Sequence, residues 1–392
     1  MAQSSTSKTA SRTAPVPLLD LSRQYAAIRE EVLAAIERVC SSQHYILGEE
    51  VEALERELAA FCGAAHAVGC ASGTDALWLA LLAAGVGPGD HVITTPLSFF
   101  ASASAIVRAG ARPVFLDVDP YTLNLDAAQL EKYLPAGSST HLRALLPVHL
   151  YGQCADMDAF QSLADEFQLA LVEDAAQAIG ASWNGRRAGS MGVTAAFSFY
   201  PSKNLSAYGE AGIVTTKNPD FAERMRRLRN HGSPKRYLHE ELGWNSRLDA
   251  IQAAVLRVKL PYVEKWNQQR RERAANYDRL LTQSGLTTAT GNAPVRVLAS
   301  TSKAHHVFHQ YVIRVQRRDD LRQFLAERKI GAEVYYPIPL HRQPVFEYLG
   351  YSEGDQPESE KAAREVLALP MFPELTEGEQ QWVVESVAEF YS

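Results

Sequence analysis

The chain has 392 residues, 46% of them apolar and 21% charged, so it can bury a large core and does not have the composition of a disordered protein. A formal net charge of -6 gives no general attraction to nucleic acid or to anionic membranes, and neither is expected as a partner. The four cysteines, Cys40, Cys62, Cys70 and Cys154, show neither close pairing nor zinc-ligand spacing, which points away from a disulfide scaffold or a metal centre and fits a reducing cytoplasm.

Residues 1–14 are rich in Ser, Thr and Ala with no apolar h-region, and they read as a disordered tail, not a secretory signal. No apolar run approaches the roughly 18 residues that a membrane span requires. From Leu21 to Cys62 apolar positions recur at helical spacing, broken by Ser41 to Gly48, which predicts two helices joined by a loop. Short β-rich runs then alternate with helical ones. The strands are predicted at His66–Cys70, His91–Thr95, Pro113–Asp117, Ala144–Val148, Leu169–Glu173, Ala195–Phe199 and Gly212–Thr216. Helices are predicted at Asp75–Leu82 and Phe100–Val107. This alternation predicts an α/β fold with a mainly parallel sheet covered by helices on both faces.

Past Asp249 a long helical stretch runs through Pro261 and Trp266 to Leu281. A smaller α+β domain follows, with a strand at His309–Arg314, a helix at Leu321–Glu327 and a last helix whose Thr376 and Glu379 are spaced as a capping box. The expected division is a large domain over 15–255 and a small one over 256–392. The basic clusters Arg224–Arg229 and Arg270–Arg273 lie in helical patterns and read as solvated faces.

In such sheets ligands gather where strands end and helices begin, and three strand ends carry chemistry. The turn Ala71-Ser72-Gly73-Thr74 offers backbone N–H groups, hydroxyls and the positive end of a helix dipole, which suits an anion, although Ser72 or Thr74 also reads as an ordinary N-cap. Asp174 follows an apolar strand, where a carboxylate can keep a pyridine nitrogen protonated or simply cap a helix. Lys203, in Phe197-Ser198-Phe199-Tyr200-Pro201-Ser202-Lys203-Asn204, follows a third strand and is placed for Schiff-base chemistry if burial strips its proton. Together the three meet the needs of pyridoxal phosphate: phosphate, ring nitrogen and aldehyde. His305, His306 and His309 lack the acidic partner of a zinc motif, so no metal site is expected.

These segments, with Tyr45-Ile46-Leu47-Gly48, Pro147-Val148-His149-Leu150-Tyr151-Gly152 and Gly243-Trp244-Asn245-Ser246-Arg247-Leu248-Asp249, resemble the DegT/StrS-type sugar aminotransferases from about Pro17 to the C-terminus. The resemblance implies a fold-type-I pyridoxal-phosphate transferase with a mixed seven-stranded sheet and a homodimer with shared active sites. It implies Lys203 as the Schiff-base lysine, Asp174 on the pyridine nitrogen and Gln177 against the ring or its oxygen. Gly73, Thr74 and Ser198 would hold the phosphate, and Phe99 would stack on the ring, with Phe100 close enough that register matters. Asn245 would reach the neighbouring subunit's cofactor phosphate, Arg247 the sugar or donor carboxylate, and His149 would pack as structure. The implied reaction moves an amino group from L-glutamate to a keto group of a nucleotide-diphospho-sugar. Tyr200 to Glu210 look more like the 3-keto than the 4-keto branch, with Ser206 and Ala211 as departures. Sugar dehydratases of related sequence carry histidine at the lysine position, and a non-catalytic sensor on the same fold is the remaining alternative.

Overall fold

The computed structural model describes residues 14–137, 141–287 and 293–392, so the expected tail lies outside the described residues except for Ala14. The apolar runs form β1 (His66–Cys70), β2 (His91–Thr94), β3 (Arg112–Phe115), β4 (Leu142–Leu146), β5 (Ala170–Asp174), the short pair β6 (Ser182–Trp183) and β7 (Arg186–Arg187), then β8 (Thr194–Ser198) and β9 (Gly212–Thr216). Seven of them make one sheet in the order β1-β9-β8-β5-β4-β2-β3. β9 runs against both of its neighbours, and the other pairings are parallel, so β1, β8 and β5 all point the same way. The mixed α/β sheet is the one expected. Its central strands are buried on both faces, which is why they read as near-continuous apolar runs and not as alternating ones.

The first helices are α1 (Leu21–Ser42), α2 (Glu49–Cys62), α3 (Gly73–Ala83) and α4 (Ala101–Arg108). α3 has little polar face: Leu77, Trp78, Leu79, Ala80 and Leu81 are all buried, as suits a helix pressed between the sheet and other helices. Two predicted strands are displaced. The chain leaves β3 at Phe115, and Asp117 turns to accept hydrogen bonds from the backbone N–H groups of Glu358 and Ser359, both at 2.8 Å. β4 ends at Leu146, although Val148 still bridges Asp174.

The long helical stretch is broken into Ala250–Lys259, a 3-10 turn at Leu260–Tyr262 and Val263–Gln283. Pro261 has no N–H to give the ladder and forces the interruption. Beyond it, β10 (Val295–Val297), β11 (Ala304–His305), β12 (Tyr311–Val315) and β13 (Val366–Leu369) follow, with β10-β12-β13 as a second, antiparallel sheet and β11 returning to pair with β6. β12 begins at Tyr311, so His309 and Gln310 lie in the approach to the strand and not within it. The last helix, Glu377–Tyr391, carries the expected capping box, with Thr376 Oγ1 accepting from Glu379 N at 3.2 Å and Glu379 Oε2 accepting from Thr376 N at 2.8 Å. Residues at the start of the described chain join this second unit: Val16 N donates to Lys329 O at 2.9 Å, and Leu18 O accepts from Met371 N at 3.1 Å. Among the described residues no helix is long and apolar enough to cross a membrane.

Candidate active site

Because β1, β5 and β8 share one direction, the segments after them emerge on one edge of the sheet. They line a single cavity of about 710 Å³, within the ordinary range for small-molecule sites.

The anion turn forms one wall. Ser72 caps α3, its Oγ accepting from Asp75 N at 3.1 Å, and the helical ladder begins with Ala76 N donating to Ser72 O at 2.9 Å. The amides of Gly73 and Thr74 lie ahead of that ladder, at the positive end of the helix. The turn sits tightly on the sheet: a Cβ on Gly73 would fall 2.5 Å from Ser198 Cβ, and one on Gly212 would fall 2.2 Å from Ser72 O. Glycine at these positions brings the amides of α3 and the Ser198 hydroxyl to one place. Gly73→Ala is expected to weaken cofactor binding about tenfold or more by pushing the turn off β8, a loss readable from a titration of the apo-protein with pyridoxal phosphate.

Asp174 ends β5 and is buried. Ser102 Oγ donates to its Oδ2 at 2.7 Å, Ala176 N donates to its Oδ1 at 3.2 Å, and Ser98 Oγ stands 2.7 Å from Ser102 Oγ. Ser102 gives its proton to the carboxylate, so Ser98 is the donor of the outer bond. Burial pushes the Asp174 carboxyl above its usual range, and the Ser102 and Ala176 hydrogen bonds oppose this. A cation at this carboxylate would offset the burial. The preceding residue, Glu173, serves a different purpose: it accepts from the amides of Gly189, Met191 and Gly192 at 3.0, 2.8 and 2.7 Å and meets His149 Nε2 at 3.0 Å. His149 Nδ1 accepts from Ala155 N at 3.3 Å, so Nε2 carries the proton that goes to Glu173, and the histidine acts as a buried brace.

Lys203 follows β8 in a turn closed by its own N–H donating to Tyr200 O at 2.8 Å. Burial lowers its amine to about 8, with Asp174 pulling the other way. Lysine, acid and anion turn thus meet in one cavity with the chemistry that a phosphorylated pyridine aldehyde requires: fixed amides for the phosphate, a carboxylate for a protonated ring nitrogen and a nucleophilic amine.

The sequence pattern of the DegT/DnrJ/EryC1/StrS aminotransferase family matches residues 26–388. The chain belongs to that family. It is 51% identical over 376 residues to a "Pleiotropic regulatory protein" of Geobacillus stearothermophilus, covering 96% of this chain and 98% of that one. It is 44% identical over 378 residues to the dTDP-3-amino-3,4,6-trideoxy-alpha-D-glucose transaminase of Streptomyces venezuelae, covering 96% of this chain and 97% of the relative. The crystal structure of S. venezuelae DesV in complex with a ketimine intermediate superposes with a TM-score of 0.91 at 44% identity, covering 96% of this chain and 99% of that chain. As in the other aminotransferases of the DegT/DnrJ/EryC1/StrS family, the cofactor is pyridoxal phosphate.

Of the residues that the family resemblance singled out, Gly73, Thr74, Phe99, Asp174, Gln177, Ser198 and Lys203 all line the cavity. Phe99 is 58% exposed and lines the cavity, while Phe100 packs on Phe346 with ring centroids 5.6 Å apart. Gln177 is held at both ends, its Oε1 accepting from Tyr151 N at 2.6 Å and its Nε2 donating to Tyr336 Oη at 3.3 Å. Asn245 and Arg247 do not line this chain's cavity. Asn245 is exposed in a bridge to Asn230, and Arg247 Nη1 donates to Asn230 Oδ1 at 3.0 Å. Ser102, His309, Tyr335 and Tyr336 also line the cavity and were not singled out. Ser102 had a local signal, one helical turn after Ser98 in the segment that holds Phe99. The tyrosines come from the second unit, where nothing in local sequence marks them.

Proposed function

We propose that the protein is a pyridoxal-phosphate-dependent aminotransferase that moves an amino group from L-glutamate to the C3 keto group of a nucleotide-diphospho-sugar, acting as a cytoplasmic homodimer. The convergence of Lys203, Asp174 and the Gly73–Thr74 turn in one cavity carries the catalytic part of this reading. The names of relatives support the substrate part: besides the S. venezuelae transaminase, a UDP-N-acetyl-3-dehydro-alpha-D-glucosamine 3-aminotransferase of Acidithiobacillus ferrooxidans is 43% identical over 362 residues, covering 92% of this chain and 94% of the relative.

When bound, pyridoxal phosphate supplies an aldehyde that links to amines and a ring that withdraws electrons from the carbon being deprotonated. The amides of Gly73 and Thr74 and the Ser198 hydroxyl would hold the phosphate, Asp174 would keep the proton on the ring nitrogen, and Phe99 and Gln177 would contact the ring. Lys203 would remove the donor's α-proton and return it to the former aldehyde carbon, which a neutral amine with a lowered pKa can do near pH 8. Among the described residues that line the cavity Lys203 is the one lysine or arginine, and Asp174 and Glu210 are acidic. A donor with two carboxylates needs more, and we assign this to Arg247 of the partner subunit, with Asn245 of the partner subunit on the cofactor phosphate. The boundary after residue 255 then separates a cofactor-holding part from one that closes the cavity with Tyr335 and Tyr336.

The departures at Ser206 and Ala211 do not disturb the C3 reading, since neither lines the cavity. Ser206 is buried and accepts from Lys259 Nζ through its O at 2.8 Å and its Oγ at 3.0 Å. Lysine at 203 argues against a dehydratase. A panel of 3-keto and 4-keto nucleotide sugars, assayed for glutamate-dependent amination, should show turnover of a 3-keto sugar. Amination of 4-keto sugars alone would move the reaction to C4, and a visible cofactor band that L-glutamate leaves unchanged would point to a sensor.

A further inference from the structure

Lys259, the last residue of the helix Ala250–Lys259, is 1% exposed and does not line the cavity. Its Nζ donates to Ser206 O at 2.8 Å and to Ser206 Oγ at 3.0 Å, and it lies 4.3 Å from the centre of the Tyr208 ring. Among the described residues no carboxylate pairs with it, and burial lowers its amine to about 8. A buried ammonium held by two neutral oxygens and a ring face is a costly way to fill space, which an uncharged side chain of similar length would fill without that penalty. Both of its hydrogen bonds go to one residue, three positions after Lys203. That part of the chain has little else to hold it. The loop that carries Lys203 is closed at its base by Ala207 N donating to Phe199 O at 2.8 Å, and its first half by Lys203 N donating to Tyr200 O at 2.8 Å. Among the described residues Asn204, Leu205 and Ser206 make no backbone–backbone hydrogen bond. Side chains fix them instead: Asn204 Nδ2 donates to Asn267 Oδ1 at 2.7 Å and to Val307 O at 3.1 Å, and Lys259 holds Ser206.

We propose that Lys259 is a positioning residue for Lys203: its two bonds to Ser206 fix the second half of the lysine loop and so hold the Lys203 amine at its buried place in the cavity. The inference rests on the aminotransferase reading above. Lys259 acts through the loop and not through its charge, since the Lys203 amine answers to burial and to Asp174.

Lys259→Met keeps an unbranched stem and removes both bonds. A loosened loop lets water reach the Lys203 amine and favours its ammonium form, so the pH midpoint for capture of pyridoxal phosphate by the apo-protein should rise by about one unit in K259M. The rate of the glutamate half-reaction is expected to fall about tenfold or more, with the KM for glutamate within about threefold of wild type, because the amine is displaced while the rest of the cavity is not. Lys259→Gln, a shorter and neutral donor, should give intermediate values of both. Ser206→Ala, combined with K259M, should add little to the single defect, because both act through the same clamp. A capture midpoint and a half-reaction rate that stay at wild-type values in folded K259M, or in folded K259Q should K259M fail to fold, would overturn the inference. Failure of the wild-type protein to react with glutamate would instead overturn the aminotransferase reading, and the capture midpoint would still test the clamp.

Discussion

Lys203→Ala is expected to lower glutamate-dependent amination by about a thousandfold or more and to remove the visible band of the lysine-linked cofactor. Two functions are lost together, the covalent anchor and the base that moves the donor's α-proton. The environment explains why this lysine can do both. An ordinary lysine with a pKa near 10.4 is only about 0.1% neutral at pH 7.5, whereas one brought to about 8 is roughly a quarter neutral there. Burial disfavours the charged form, and Asp174 restores only part of it. The sign is therefore set: capture of pyridoxal phosphate by the apo-protein should speed up as the pH rises through about 8, some two units earlier than for a solvated lysine. A capture profile that keeps rising toward pH 10 would contradict the buried-amine picture, as would amination by K203A near the wild-type rate.

Asp174→Asn should cost about a hundredfold or more in the glutamate half-reaction while leaving the visible band in place, because the lysine is untouched. An amide at this position keeps nearly the same volume but cannot hold a proton on a ring nitrogen. The local bonds sharpen the expectation. Ser102 Oγ and Ala176 N both donate to Asp174, so an amide nitrogen turned toward either would meet a donor and the side chain would lose part of its orientation as well as its charge. Stopped-flow absorbance with saturating glutamate separates the two variants: K203A lacks the starting band, and D174N has it but loses it slowly. A D174N half-reaction within about threefold of wild type would remove Asp174 from its assigned role.

Much of this architecture is legible in the chain itself. β1 and β9 fall on the predicted residues, and the other main strands lie within two residues of theirs, because strands buried on both faces announce themselves as apolar runs. The capping box at Thr376 is equally local, a bond pattern that needs only four consecutive residues. The predicted strand at His309 began too early because an apolar approach and an apolar strand look alike until pairing partners are known. Here pairing starts with Tyr311 opposite Leu369, and His309 is freed to face the cavity.

The sequence itself singles out Lys203 with Asp174 and the Gly73–Thr74 turn as three strand-end groups, and family resemblance adds Gln177, Ser198, Phe99, Asn245 and Arg247. What the sequence by itself determined was the seven strands of the main sheet and the candidate reacting groups, since both depend on residue type and short-range periodicity. The tertiary structure alone decided two other matters: the burial that lowers the Lys203 amine, and the placing of Phe99 and not Phe100 in the cavity lining. Each depends on atoms brought together from distant parts of the chain. Tyr336 reaches Gln177 only because the second unit packs against the cavity, and no local pattern in either segment shows that contact.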